Sequence, residues 1–426
     1  MRCIIGAPKG TKDILPEVIY KWHFVEEIVR SLSLIFGFKE IRTPVFENTS
    51  LFKRSVGDET DVVQKEMYTF IDKGGRSVTL RPEGTAGVVR SFIENSLFNQ
   101  VLPLKFFYIN TFYRYENPQA GRYREFHQFG AEIFGSSSPQ SDVEAILFAK
   151  SFFDKLGIKN LLLIINSIGC HSCKERYSKS LKDFFAPKEE NLCYRCKQRI
   201  ANNPFRVLDC KKQNCQEISK NAPSIVNFLC SECIVHFDLV RKLLDSFGIA
   251  YVVDPKAVRG LDYYTRTVFE FVSGELGSQN SVCGGGRYDN LVEQMGGPAL
   301  PALGFAVGLE RLFIVANQQH IDITKPQSCD IYIASATEDC RITAMEMSFL
   351  LRLNKNIICE YDISNKNLKS QIKYADKICA KFLLIIGEKE KKMNLGIVKN
   401  METKETFKVK LLPREEFMDG IISVCC

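Results

Sequence analysis

Apolar residues recur at helical spacing through "EVIYKWHFVEEIVRSLSLIFG", residues 17–37, and predict an amphipathic helix. The period then shortens. "KEIRTPVF", "MYTFID" and "SVTLRP" alternate as short strands, with Pro44 at an edge or strand end where its missing N–H does no harm. "LPLKFFYINTFYRYE" and "RYREFHQFGAEIFG" read as an antiparallel hairpin turning at "NPQAG". "NLLLIINSIG" is a buried strand, after which helical periodicity, cysteine pairs and basic residues run to about Phe247. Strand character resumes at "IAYVVDP" and in "RGLDYYTRTVFEF", so the stretch between reads as an inserted helical subdomain. Beyond the polar linker "HIDITKPQS", strands "DIYIAS", "NIICEYD", "KFLLIIG" and two more alternate with helices. That pattern predicts a separate α/β domain of about 100 residues with mostly parallel strands.

Side chains alternate across a strand, so Phe126, Gln128, Gly130 and Glu132 share one face, as do Phe112, Arg114 and Glu116 on the partner strand. If the faces coincide, the hairpin presents carboxylates for an ammonium and a guanidinium for phosphate or carboxylate oxygens. Cross-strand ion pairs on a solvated face would give the same pattern. "RGLDYYT" shifts that balance. Alternation puts Arg259, Leu261, Tyr263 and Thr265 on one face and Asp262 and Tyr264 on the other, a polar start that core packing does not need. "VCGGGRYDNL" places three glycines before Arg287, for close backbone approach or a simple turn. In "ALGFAVGLERLFIV" a strand end passes into a helix with Arg311 in an early turn.

The composition is that of a folded, non-collagenous globular chain: 426 residues, 45% apolar and 25% charged. Neither a secretory signal nor an 18-residue apolar span is present, so a cytoplasmic location with no membrane partner is expected, with the 16 cysteines reduced. The net charge of +7 is uneven. Residues 170–250 carry 14 Lys or Arg against 9 Asp or Glu, and a polyanion would approach them first. There is no G-x-x-x-x-G-K-[ST] and no G-x-G-x-x-G, so any ATP is held without a Walker loop or Rossmann turn.

Taken in order, the segments resemble the class II aminoacyl-tRNA synthetases and, within them, the histidyl-tRNA synthetases. "FYRYENPQAGRYREFHQFGAEIFG" resembles class II motif 2, "GFAVGLERL" motif 3, and the stretch around Pro44 motif 1. "RGLDYYT" and "GGGRYD" look like the two segments peculiar to the histidine enzymes, as do "APKGTKDILP" and "TLRPEGT". The resemblance covers essentially the whole chain.

It implies an α+β fold: a class II antiparallel-sheet catalytic core over 1–325 with a basic, Cys-rich helical insertion at about 170–247, then an α/β anticodon-binding domain over 328–426. The implied reaction joins L-histidine to its tRNA through a histidyl-adenylate, releasing AMP and pyrophosphate in the service of protein biosynthesis. Carried over by position, Arg259 and Arg114 are the catalytic pair at the α-phosphate. Glu83, Thr85, Gln128 and Glu132 hold histidine's amino group and ring, with Tyr263 and Tyr264 shaping the imidazole pocket. Glu116 and Arg311 join Arg114 and Arg259 in holding ATP, which brings Mg²⁺. Gln119 and Arg122 meet the tRNA acceptor end, in a loop where Asn117 replaces a common family arginine. The basic insertion would clamp the acceptor stem, and motif 1 implies a homodimer.

Eight cysteines fall in the insertion: Cys170 and Cys173, Cys193 and Cys196, Cys210 and Cys215, Cys230 and Cys233. They could form one or two Cys₄ zinc sites, or remain reduced, partly buried thiols. The family resembled requires no metal, which weights the reading toward thiols. A different function is carried by catalytically silent relatives that regulate ATP phosphoribosyltransferase. Those typically lack the anticodon domain and degrade the motifs that are intact here. A tRNA-binding or stress-sensing module on the same fold is weakened by the same residues.

Overall fold

The computed structural model describes residues 5–57, 60–208, 210, 212–257 and 261–425; Arg259 lies outside the described residues. The chain divides into two compact units, Met1–Ile323 and Thr324–Cys426.

The strands of the first unit are β1 (Lys39–Glu40), β2 (Phe46–Asn48), β3 (Thr69–Ile71), β4 (Ser77–Leu80), β5 (Leu104–Tyr113), β6 (Glu125–Phe134), β7 (Leu162–Ser167), β8 (Val252–Val253), β9 (Thr265–Val272), β10 (Ser281–Arg287) and β11 (Ala302–Gly308). Eight form one sheet in the order β1-β5-β6-β11-β10-β9-β7-β8, while β2, β4 and β3 make a smaller one. The six central strands of the large sheet pair antiparallel; only the two-residue edge strands β1 and β8 are parallel to their neighbours.

Period-two alternation divides the sheet's two faces. Phe107, Phe129, Ala131 and Ile133 are buried together with residues of the helices Pro16–Ile35, Pro139–Lys155 and Ser231–Ser246. Phe148 and Phe152, one helical turn apart, reach Phe129 edge-on at centroid distances of 5.5 and 5.2 Å. Both are fully buried, and truncating such a ring costs about 3–5 kcal/mol. The even-numbered residues take the opposite face, where Tyr108 and Phe112 pack with Val88, Val89 and Phe92 of the helix Thr85–Glu94. Phe126 stands opposite Phe112, Gln128 opposite Asn110, and Glu132 opposite Phe106.

Two local expectations are corrected. The hairpin strands end at Tyr113 and begin again at Glu125, so the connection is longer than "NPQAG" and is pinned by a bridge between Gln119 and Arg122. The segment after the described gap is not yet a strand: residues 261–264 turn, and β9 starts at Thr265.

Between β7 and β8 the described residues form only helices, among them His171–Phe185, Tyr194–Asn202, Gln213–Ser219 and Ser231–Ser246. They enclose a small core of their own, in which Tyr177, Leu181, Phe185 and Val207 lie among buried cysteines.

In the second unit β12 (Ile331–Ser335), β13 (Cys359–Tyr361), β14 (Phe382–Ile386), β15 (Leu395–Asn400) and β16 (Thr406–Lys410) order as β13-β12-β14-β15-β16. The first three strands are parallel, as the alternating pattern predicts, but β15 and β16 are antiparallel. A parallel return needs a crossover of a dozen or more residues, and only eight lie between Ile386 and Leu395.

Candidate active site

The site grows from the even-numbered face of the β5–β6 hairpin. Glu83 stands just before the helix Thr85–Glu94 and accepts the backbone N–H groups of Thr85 and Ala86, each at 2.8 Å. That arrangement satisfies two of the helix's free N–H groups and fixes the carboxylate in place. Burial nevertheless pushes its pKa upward.

Glu132 on β6 is 1% exposed and accepts the Thr85 hydroxyl at 2.8 Å, the Tyr108 hydroxyl at 3.2 Å and the Tyr288 hydroxyl. Burial pushes its pKa up to about 8, against hydrogen bonds that pull it down. Two glycines make the packing fit: a Cβ on Gly130 would meet the Tyr108 ring at 2.2 Å, and one on Gly304 would meet Glu132 Oε2 at 1.8 Å.

The connection between β5 and β6 supplies the charged wall. Arg114 donates Nε to the Pro82 carbonyl at 2.8 Å, lies over the Phe126 ring and has Nη1 3.9 Å from Glu116. Glu116 pairs with Arg122 at 2.9 Å. Arg311, the third residue of the helix Leu309–Gln318, donates to the carbonyls of Gly121 and Ser281 at 3.2 and 2.8 Å. Its neighbour Glu310 accepts the His127 N–H at 2.9 Å and so ties that helix to β6.

Tyr263 and Tyr264 both line the same cavity, with ring centroids 4.7 Å apart. Strict alternation sends them to opposite faces; the turn at 261–264 overrides it. Asp262 points elsewhere, accepting Arg206 at 2.8 Å and Asn203 at 3.1 Å from the insertion.

The glycine triplet lies inside β10 and not in a turn. Ideal Cβ atoms on Gly285 and Gly286 would strike the carbonyls of Gly304 and Thr267 at 2.4 and 2.5 Å, so these glycines let β9, β10 and β11 pack closely, while Gly284 lines the cavity. Arg287 is wholly buried, paired with Asp142 at 2.6 Å and bonded to the carbonyls of Ser136 and Ser138. It braces the fold.

The cavity holds about 380 Å³, within the range of small-molecule sites. Glu83, Thr85 and Gln128 line it with Tyr263 and Tyr264; Arg114, Glu116, Arg122 and Arg311 line the charged side. Glu132 sits one layer behind the wall, reached through Thr85 and Tyr108, and Gln119 is not part of the lining. Arg259 lies outside the described residues. Sequence reasoning passed over Tyr108 and Tyr288, whose hydroxyls hold Glu132. Tyr108 could have been found, since it shares the alternating face with Phe112.

A larger cleft of about 1430 Å³ adjoins this cavity and shares Asp61, Glu66, Arg122, Arg206 and Leu261 with it. The insertion's helices supply much of its wall, including Lys174, Lys179, Lys182, Arg195 and Arg199. Salt bridges from Arg199 to Asp61 and from Arg206 to Asp262 fasten the insertion beside the smaller cavity.

An antiparallel sheet with this site on one face is what class II synthetases require, and the family model described as histidyl-tRNA synthetase matches residues 10–312. The chain belongs to the histidyl-tRNA synthetase family. A second model, the anticodon binding domain, matches residues 330–423. Among histidyl-tRNA synthetase relatives, the histidine–tRNA ligase of Acetivibrio thermocellus is 52% identical over 405 residues, covering 95% of this chain and 97% of the relative. That of Clostridium perfringens is 49% identical over 408 residues, 96% of this chain and 97% of the relative. The crystal structure of apo S. aureus histidyl-tRNA synthetase superposes with a TM-score of 0.82 at 37% identity, covering 97% of this chain and all of that one.

Proposed function

We infer that this histidyl-tRNA synthetase family member ligates L-histidine to its tRNA at the expense of ATP, through a histidyl-adenylate, with release of AMP and pyrophosphate. The observation that carries this reading is the meeting of Glu83, Gln128, Arg114, Arg311, Tyr263 and Tyr264 around one cavity of about 380 Å³ on the antiparallel sheet.

In the first half-reaction a histidine carboxylate oxygen attacks the α-phosphorus of ATP, and pyrophosphate leaves. Arg114, anchored by Pro82 and Phe126, offers a fixed cation to the α-phosphate, with Arg259 as its catalytic partner. A preorganised cation stabilises the charge that builds up in the transition state more than the charge of the ground state. Glu83 receives the α-ammonium. Gln128, Tyr263 and Tyr264 satisfy and shape the imidazole pocket, with Thr85 as its floor and Glu132 bracing Thr85 from behind. A site that pairs both ring nitrogens rejects apolar isosteres, which leave its polar groups unpaired. Glu116 and Arg311 hold the adenine and γ-phosphate ends of ATP, which enters as its Mg²⁺ complex.

In the second half-reaction the tRNA 3′ end displaces AMP. The basic cleft beside the cavity is suited to the acceptor stem, with Gln119 and Arg122 at its end and the second unit taking the anticodon. The chain acts as a cytoplasmic homodimer, and apolar side chains left exposed near Pro44, Val45 and Phe46 among them, support an association surface there. Charging assays with each amino acid in turn test the reading. Attachment of histidine alone, to histidine tRNA alone, is expected; a folded chain that charges nothing overturns it.

A further inference from the structure

The insertion's eight cysteines are not scattered through its core. Cys170, Cys173, Cys230 and Cys233 form one group and Cys193, Cys196, Cys210 and Cys215 another, with the sulfurs of each group all within 4.8 Å of one another. The Cys170 sulfur is 3.6 Å from that of Cys173 and 3.9 Å from that of Cys230, and Cys193 is 3.9 Å from Cys210. These distances are far beyond a disulfide bond of about 2.05 Å. They match a single tetrahedral ion instead: zinc–sulfur bonds of about 2.3 Å set the sulfurs about 3.8 Å apart. An iron–sulfur cluster would divide the thiolates over two or four irons and hold the four further apart than a single ion does.

The backbone repeats one device three times. Cys170, Cys193 and Cys230 are each the N-cap residue of a helix, and Cys173, Cys196 and Cys233 are each the third residue of that helix. Each C-x-x-C therefore brings two sulfurs together at a helix start. The pairs within each group are also cross-tied. The N–H of Cys230 donates to the Cys173 sulfur at 3.0 Å, and the N–H of Cys193 to the Cys215 sulfur at 3.3 Å. Each bond aims a backbone donor from one pair at a sulfur of the other pair in its group, as second-shell donors do around metal ligands.

We propose that the insertion holds two structural zinc ions, one in each Cys₄ group. Binding of one Zn²⁺ displaces four thiol protons and leaves a site of net charge −2. The basic surroundings offset that charge, and Arg176 is 3.8 Å from the Cys173 sulfur. All four positions are filled by protein sulfur, so neither ion has an open site for catalysis. The first ion fastens the insertion at its root, joining residues 60 apart: Cys170, just after β7 leaves the sheet, and Cys230, at the start of the helix Ser231–Ser246 that packs back against it. The second holds together short helices, including the seven-residue Gln213–Ser219, that are marginal alone. Those helices carry Arg199 to Asp61, which lines the catalytic cavity, and Arg206 to Asp262 in the cleft beside it. A small subdomain whose core is this rich in cysteine needs such staples.

The test is elemental analysis of the untagged full-length chain, grown with zinc and washed with EDTA. About two zinc ions per chain are expected, falling to about one in Cys173→Ser and in Cys215→Ser. Because either variant could fail to fold, the wild-type chain is also reconstituted with Co²⁺, which should give the visible bands of tetrahedral thiolate coordination. Wild-type protein with less than about half an equivalent of zinc, and no such cobalt spectrum, overturns the proposal. Iron in place of zinc overturns the identity of the ion. A single equivalent overturns the site whose variant leaves the metal content unchanged.

Discussion

Thr85 donates its hydroxyl to Glu132 at 2.8 Å, and through this bond a carboxyl group closed off from water is joined to the wall of the catalytic cavity. Burial pushes the pKa of Glu132 up to about 8 in the folded chain, from an ordinary value of 4.5. Between those values the folded state keeps a proton that the unfolded chain gives up, so stability falls as pH rises. Glu132→Gln removes that dependence. Melting measured from pH 5 to 8 should lose up to about 1.4 kcal/mol per pH unit of slope in the variant. An unchanged slope contradicts the burial argument.

Arg287 and Asp142 form the opposite kind of buried group. Burial works against the Asp142 carboxylate, but Arg287 and His236 outweigh it and hold its pKa below the ordinary range. Arg287→Met leaves that carboxylate buried without its cation, and a loss of about 3–5 kcal/mol in urea unfolding is expected. A loss below about 1 kcal/mol would show that Arg287 is not the brace described here.

Gly304 faces Glu132 so closely that a methyl group cannot fit without moving the carboxylate. Gly304→Ala should destabilise the chain by about 1–3 kcal/mol and raise KM for histidine more than KM for ATP. Equal effects on both substrates would mean that Glu132 is not coupled to the amino-acid side of the cavity.

Lys179 and Lys182 line the large cleft and stand away from the smaller cavity. Replacing both with alanine should raise KM for tRNA and shallow the logarithmic salt dependence of charging by roughly 1 to 2. Histidine-dependent pyrophosphate exchange should stay unchanged. A drop in exchange with normal tRNA affinity would place the cleft's role elsewhere.

Much of the site was legible because a β-hairpin transmits its pattern directly: alternation alone placed Gln128, Gly130 and Glu132 on one face, and the register bears this out. Alternation alone sent Tyr263 and Tyr264 to opposite faces, because β9 starts only at Thr265 and the turn before it breaks the alternation, whereas the resemblance put both at the imidazole pocket. "GGGRYD" left close backbone approach and a simple turn both open, and neighbours distant in sequence decide between them: the carbonyls of Gly304 and Thr267 leave no room for a Cβ on Gly285 and Gly286. The cysteines show the same limit. Their spacing left several groupings open, and only the fold brings residues 170 and 173 to 230 and 233.

The central claim is that this cavity activates histidine with ATP. Its most direct test is histidine-dependent exchange of pyrophosphate into ATP without tRNA, in the wild-type chain and in Arg114→Ala and Arg259→Ala. Exchange that requires histidine and falls by about 100-fold or more in each variant is predicted, the size expected for losing a preorganised transition-state contact. A folded chain that binds histidine yet exchanges nothing, or variants that exchange at the wild-type rate, would contradict it.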